Sequence, residues 1–160
     1  MIRYFFIAAA LLGCTAAAPV PSFNPLDFFT GETRGVGSLK VIMKPAVPIR
    51  VSSEGHPDGN GGIVLHQTIH EGVKPPRQNR WSLRPTSATT LTGSASNSPG
   101  PVRGRMNGNR LQLSYAMKGG MKADQTLTLQ PGGERVVSRM SIKRLGITVA
   151  RVEEVITKVE

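Results

Sequence analysis

The sequence predicts an all-β protein, an antiparallel barrel of about eight to ten strands. Three observations carry that expectation. Apolar and polar residues alternate over short segments along most of the chain, the signature of half-buried strands. The segments are separated by stretches with turn chemistry, including HPDGNGG, KPPRQN, SNSPGP, MNGN, KGG and QPGGE. The chain of 160 residues holds 18 glycines and 12 prolines, high for a helical protein and natural for many strands joined by turns. Closure into a barrel is expected over an open sheet because it removes exposed edges.

The amino terminus reads differently from the rest. Arg3 supplies a positive start and YFFIAAALLG an apolar run. That run is far shorter than the roughly 20 residues that span a bilayer, and it fits the core of a signal peptide. It ends in Leu11-Leu12-Gly13-Cys14, the pattern of a bacterial lipobox, in which the cysteine is acylated and becomes the first residue of the mature protein. Two or more acyl chains anchor stably where one binds marginally. The alternative is an ordinary secretory signal cut at Ala16–Ala18, with Cys14 incidental. Thr15 follows the cysteine rather than Asp, so an anchored protein is expected at the outer membrane, facing the periplasm. The organisation expected is a signal peptide over 1–13, a Pro- and Ala-rich tether over 14–25 and one β-barrel domain over 26–160.

Within the domain, GSLKVIMK alternates Leu39, Val41 and Met43 against Lys40, and VPIRVS alternates Val47, Ile49 and Val51 against Arg50. GIVLHQTIHEG sets Ile63, Leu65 and Ile69 on one face and His66, Thr68 and His70 on the other. RWSLR opposes Trp81 and Leu83 to Arg80, Ser82 and Arg84. NRLQLSYAM brings Leu111, Leu113 and Tyr115, QTLTLQ brings Leu127 and Leu129, and RVVSRMSI continues the style. GITVARVEEVITK reads as a last strand, although Val152, Val155, Ile156 and Val159 also fit a helical stripe.

Several pieces together resemble a bacterial envelope family designated domain of unknown function 3833. They are the Phe28-Phe29-x-Gly31 opening with Gly35 and Gly37, the Arg80-x3-Arg84 strand around Trp81, Gly108-Asn109, and the Met140…Gly146…Val149 ending. The likeness runs from about Leu26 to Lys158 in order. It implies a lipocalin-like barrel, often in a lipoprotein, and brings no activity, substrate or catalytic residue.

Charge adds an expectation about partners. The formal net charge is +10. Aromatic residues are 5% of the chain, too few for the stacking platform of a single-strand nucleic-acid binder. Export counts further against nucleic acid. Between Gly72 and Ala123 there is no acidic residue. Arg77, Arg103, Arg105, Arg110 and Lys118 from this stretch are candidate contacts to anionic lipid or lipopolysaccharide; a solvated outer face is the plain alternative. Trp81 is expected to point into the barrel, as a core plug or as a cavity wall. Arg80, Arg84 and Tyr115 are its candidate companions at a ligand site, with Arg84 bending inward at Pro85 to meet a carboxylate or phosphate.

Catalysis finds little support. No serine lies in a G-x-S-x-G elbow. Glu153 and Glu154 are adjacent and would face opposite sides of a strand. GETRGVG lacks the Lys-Ser/Thr ending of a phosphate loop, and its glycines read as close backbone packing or a bend where the first strand enters the barrel. His66 and His70 lie about 13 Å apart on a strand, beyond sharing one metal ion. A monomeric, non-enzymatic binding protein without cofactor or metal is expected, with a structural or assembly role as the alternative and an envelope hydrolase as a distant third.

Overall fold

The alternating segments form ten strands in a closed barrel, described in a computed structural model over residues 21–159. The signal-peptide and lipobox readings, Cys14 included, fall outside the described residues, as does the tether up to residue 20. The strands are β1 (Gly31–Val41), β2 (Val47–Pro57), β3 (Ile63–Glu71), β4 (Arg77–Pro85), β5 (Thr90–Ala95), β6 (Val102–Asn107), β7 (Arg110–Met117), β8 (Met121–Leu129), β9 (Arg135–Arg144) and β10 (Ile147–Lys158). Each pairs antiparallel with the next, and β1 pairs with β10 to close the ring. Closure leaves no strand edge free along the sheet.

Strand period decides what faces inward. Ile63 and Leu65 on β3, Trp81 and Leu83 on β4, Leu111, Leu113 and Tyr115 on β7, and Leu127 and Leu129 on β8 are all buried. The polar alternates, among them His66, His70, Arg80 and Arg103, lie exposed on the outer wall. The ambiguous carboxy-terminal segment is a strand throughout: β10 pairs with both β1 and β9, so one face of it is fully engaged inside the ring. Two strands carry no clear signal in the sequence. β5 and β6 place Gly93 and Gly104 at inward positions, where a Cβ would strike the Ser82 carbonyl oxygen at 1.9 Å and Leu91 Cδ1 at 2.5 Å. Tight packing there demands glycine, and glycine blanks the alternation. β1 stops at Val41, so Met43 belongs to a turn.

One end of the ring is plugged. Asn24 caps a short helix, α1 (Pro25–Phe29), by accepting from the Leu26 N–H at 3.1 Å, with Pro25 in the first turn. Phe23, Phe28 and Phe29 pack edge to face across the opening, with centroids 5.8 Å apart for Phe23–Phe28 and 4.9 Å for Phe28–Phe29. The Phe23 N–H donates to the Gly108 carbonyl at 2.9 Å, and Gly55 lets the Phe29 carbonyl oxygen approach β2. Phe23 is 3% exposed and Pro25 is fully buried, so both pack with α1 in the plug.

Candidate functional site

Chain direction places the other connections, residues 42–46, 72–76, 96–101, 118–120 and 145–146, at the end opposite α1. That end is the mouth of a cavity of about 170 Å³ inside the ring. Phe29 forms its floor. Trp81 and Tyr115 stand in its wall with Leu65, Leu113, Val152 and Ile156, and Glu71, Arg77 and Asn97 stand nearer the mouth.

The Trp81 and Tyr115 rings meet edge to face at 5.2 Å and 89°, the geometry favoured by aromatic quadrupoles. Trp81 Nε1 donates to Gln67 Oε1 at 2.6 Å, and Gln67 Nε2 donates in turn to Ser53 Oγ at 3.1 Å. The indole is therefore locked against rotation while one edge of the ring borders the cavity. Across from it, Gln125 Nε2 donates to Ser138 Oγ at 2.9 Å. The Tyr115 hydroxyl donates only to the Met140 sulfur, at 3.4 Å, a weak acceptor. Burial pushes the Tyr115 phenol up to about 12, with Arg77 acting in the opposite sense, so the hydroxyl stays neutral and free to donate to a better acceptor. Asn97 Oδ1 is buried near the mouth with no protein partner.

Gln67→Leu removes the acceptor of a buried N–H and the donor to Ser53 at once. It is expected to cost about 2 kcal/mol of stability, read as a lower denaturant midpoint with a shifted Trp81 emission; an unchanged midpoint would show that the network contributes nothing.

Glu154 is the other polar group in the wall. It projects inward from β10 while Glu153 projects outward toward Arg139, at 3.9 Å. Its carboxyl lies against Gly35, where a Cβ would stand 1.6 Å from Glu154 Oε1. Burial raises its pKa to about 7. Gly35 and Gly37 of GETRGVG thus serve close packing, Gly37 facing the β10 backbone with equally little room, whereas Gly31 has open space around it and takes φ 86° at the start of β1.

Of the expected ligand residues, the structure brings Trp81 and Tyr115 together and leaves Arg80 and Arg84 outside. Pro85 does not turn β4 inward; the strand continues through it, paired with Leu91. Arg84 keeps its outward parity and reaches Asp58 Oδ2 at 3.3 Å. The backbone N–H groups of Asn60 and Gly62 hold the Asp58 carboxyl below the usual carboxylate range, with Arg84 contributing. Arg77, expected on the outer surface, shares its parity with Trp81 and lines the mouth instead. Arg103, Arg105 and Arg110 do lie exposed on the outer wall, and Lys118 lies in the β7–β8 turn. Arg103 and Arg105 stand at successive outward positions of β6, while Arg110 and Lys118 mark opposite ends of β7, roughly 26 Å apart. His56 pairs with Glu54 at 3.0 Å, and among the described residues no group of three His, Cys, Asp or Glu side chains could hold a metal ion.

Gln67, Asn79 and Gln125 are not among the residues the sequence points to, and Glu154 enters there only as facing opposite to Glu153. All four sit at inward parity with apolar neighbours two residues away, which was the available signal. Among the described residues no helix is long and apolar enough to cross a membrane. The barrel itself is apolar within and charged without, the reverse of a lipid-spanning barrel.

Solved structures share this architecture. The S-type phycobiliprotein lyase of Guillardia theta matches with a TM-score of 0.63 over 84% of this chain and 89% of that one, at 10% sequence identity. Likeness at that identity establishes a calycin-like fold. Among curated proteins none matches significantly. A family model matches residues 9–158, and the chain belongs to the family described as protein of unknown function, DUF3833.

Proposed function

We propose that the protein is an envelope lipoprotein whose barrel binds one small amphipathic molecule, a slender acyl chain with an acidic head. The observation that carries this reading is the cavity itself: apolar in its wall, plugged by α1, and polar at its mouth through Arg77 and Asn97. A few polar groups converging on an apolar pocket are the usual form of a ligand site. Its size sets the class. An apolar cavity of about 150 Å³ accepts benzene, so about 170 Å³ suits a single ring or a short acyl chain. Arg77 takes the part the sequence reading gave to Arg84, pairing with a carboxylate or phosphate head, while Tyr115 and Trp81 flank the chain.

Binding is favoured over catalysis by what lines the pocket. Glu71 is engaged by Lys74, and among the described residues no histidine or thiol stands in the wall to act with Glu154. The envelope assignment draws on the amino-terminal run and Cys14.

Titration with a saturated fatty acid is expected to change Trp81 emission saturably, and the corresponding alcohol to bind about tenfold more weakly through loss of the Arg77 contact. Val152→Phe, which fills the cavity, is expected to weaken uptake at least about tenfold, at a stability cost of about 1–3 kcal/mol. An emission indifferent to a panel of fatty acids would sink the binding role. The anchor is tested separately: a palmitate analogue fed to cells should label the wild type and not Cys14→Ser.

A further inference from the structure

The two ends of the barrel differ in the chemistry of their turns. At the α1 end the connections are polar and glycine-rich: residues 58–62 read DGNGG and 130–134 read QPGGE. At the mouth, three turns carry an apolar residue at the tip. Leu145 lies between β9 and β10, Met43 between β1 and β2, and Val73 between β3 and β4. The strand order of the closed ring makes these three hairpins consecutive along the rim. Met43 is 97% exposed, Leu145 93%, and Val73 fully.

Isolated apolar residues on a surface are ordinary; here the backbone supplies a second observation. Met43 and Leu145 hold φ at 60° and 50°. Glycine and asparagine occupy that left-handed region readily, and a large side chain does so at a cost. Val73 follows Gly72, which takes φ 55° in its place. At two of three tips the fold therefore keeps a large apolar side chain against both the solvent and the backbone preference, and such outliers concentrate at functional surfaces.

Charge is the third. A cation adjoins every tip: Lys44, Lys74 and Arg144. Lys118 sits in the β7–β8 turn at the same end. The nearby acids are already engaged, Glu71 by Lys74, and Asp124 by Lys122 and Lys143.

We propose that this rim docks the barrel, mouth first, on the surface of an anionic lipid bilayer. Met43, Val73 and Leu145 enter the boundary between headgroups and acyl chains, and the flanking cations lie among the phosphates, as in other interfacial anchors. The docking surface stands on the rim alone; combined with the cavity reading, it gives an apolar ligand a path from bilayer to mouth that avoids water.

The full-length protein is tested on vesicles of phosphatidylethanolamine and phosphatidylglycerol against vesicles of phosphatidylcholine. Met43→Asn, Val73→Ser and Leu145→Asn combined are expected to weaken partitioning to the anionic vesicles at least about tenfold. Asparagine accepts a positive φ, so this variant retains its fold. Lys44→Gln and Arg144→Gln are each expected to weaken partitioning about fivefold at low salt. Orientation is read with brominated lipids in a Trp81→Phe background: Val73→Trp emission is quenched and that of Asn107→Trp, at the α1 end, is not. Equal quenching at both ends, or equal partitioning of wild type and triple variant, overturns the proposal. So does a dimer in sedimentation that the triple variant abolishes while vesicles bind neither protein, which assigns the rim to contact between two copies. Failure of the cavity reading shows separately, in ligand uptake that Val152→Phe leaves unchanged.

Discussion

Gly37→Ala is expected to abolish soluble folded protein, or to lower the thermal midpoint sharply. A Cβ at Gly37 would lie 1.9 Å from the carbonyl oxygen of Glu153 and 2.7 Å from Cα of Glu154. Both are backbone atoms of β10, so no rotamer change relieves the contact. Gly37 pairs with Glu154 in the middle of the β1–β10 ladder, the seam that closes the ring. Overpacking in a core typically costs about 1–3 kcal/mol when side chains can adjust. Here the adjustment is separation of two strands, which exposes two edges, and the loss should exceed about 3 kcal/mol, a large share of a typical domain's stability of about 5–15. Gly35→Ala provides the control. Its Cβ would collide with Glu154 Oε1, the end of a flexible side chain that can swing into the cavity, so its effect should be milder and should shrink further in a Glu154→Ala background. Soluble yield, circular dichroism and thermal midpoints separate these outcomes; a Gly37→Ala protein as stable as wild type would mean the seam has slack that its register denies.

The architecture was legible in the sequence because one quantity, the period of two, governs both what is buried and how strands are recognised. Trp81, Leu83, Leu111, Leu113 and Tyr115 all face inward as their alternation requires. The same rule resolves the helix–strand ambiguity at Val152–Val159 once pairing with β1 and β9 is known, a long-range fact that no local window contains. β5 and β6 stayed hidden where glycine replaced the apolar residue at the tightest inward positions. The site was legible in its aromatic half only. Trp81 and Tyr115 stand out by residue type. Gln67, Gln125 and Glu154 look like ordinary polar residues until the register supplies their surroundings: Ser53 stands across from Gln67, Ser138 accepts from Gln125, and Gly35 leaves room for the Glu154 carboxyl. Arg84 stays outside because the ladder continues through Pro85 and keeps the parity of β4, and the same parity turns Arg77 toward the cavity.

Glu154→Gln is expected to stabilise the protein above pH 7 and to flatten its stability between about pH 4.5 and 7. Burial raises the Glu154 pKa from 4.5 to about 7, because the ionised form leaves water for an apolar wall. The sign follows from proton counts. Within that window the unfolded chain has released its proton while the folded protein retains it. The unfolded state then binds fewer protons, and stability falls as pH rises. Below about pH 4.5 the group is protonated in both states and contributes nothing; above about pH 7 its full penalty is present. At 1.36 kcal/mol for each pH unit the penalty is up to about 3 kcal/mol, reduced by whatever water the cavity admits. Glutamine keeps the shape over Gly35 without a charge, so its midpoint should show no slope in this window. Ligand uptake should follow the same titration. Ionised Glu154 places a negative charge in the wall that an acyl chain must line, so fatty-acid affinity should drop through pH 7 in the wild type and stay level in Glu154→Gln. Denaturant midpoints and Trp81 titrations from pH 4 to 8.5 read both effects. A wild-type stability that rises across the window would mean that Glu154 has found a charge partner or solvent that the folded wall does not provide.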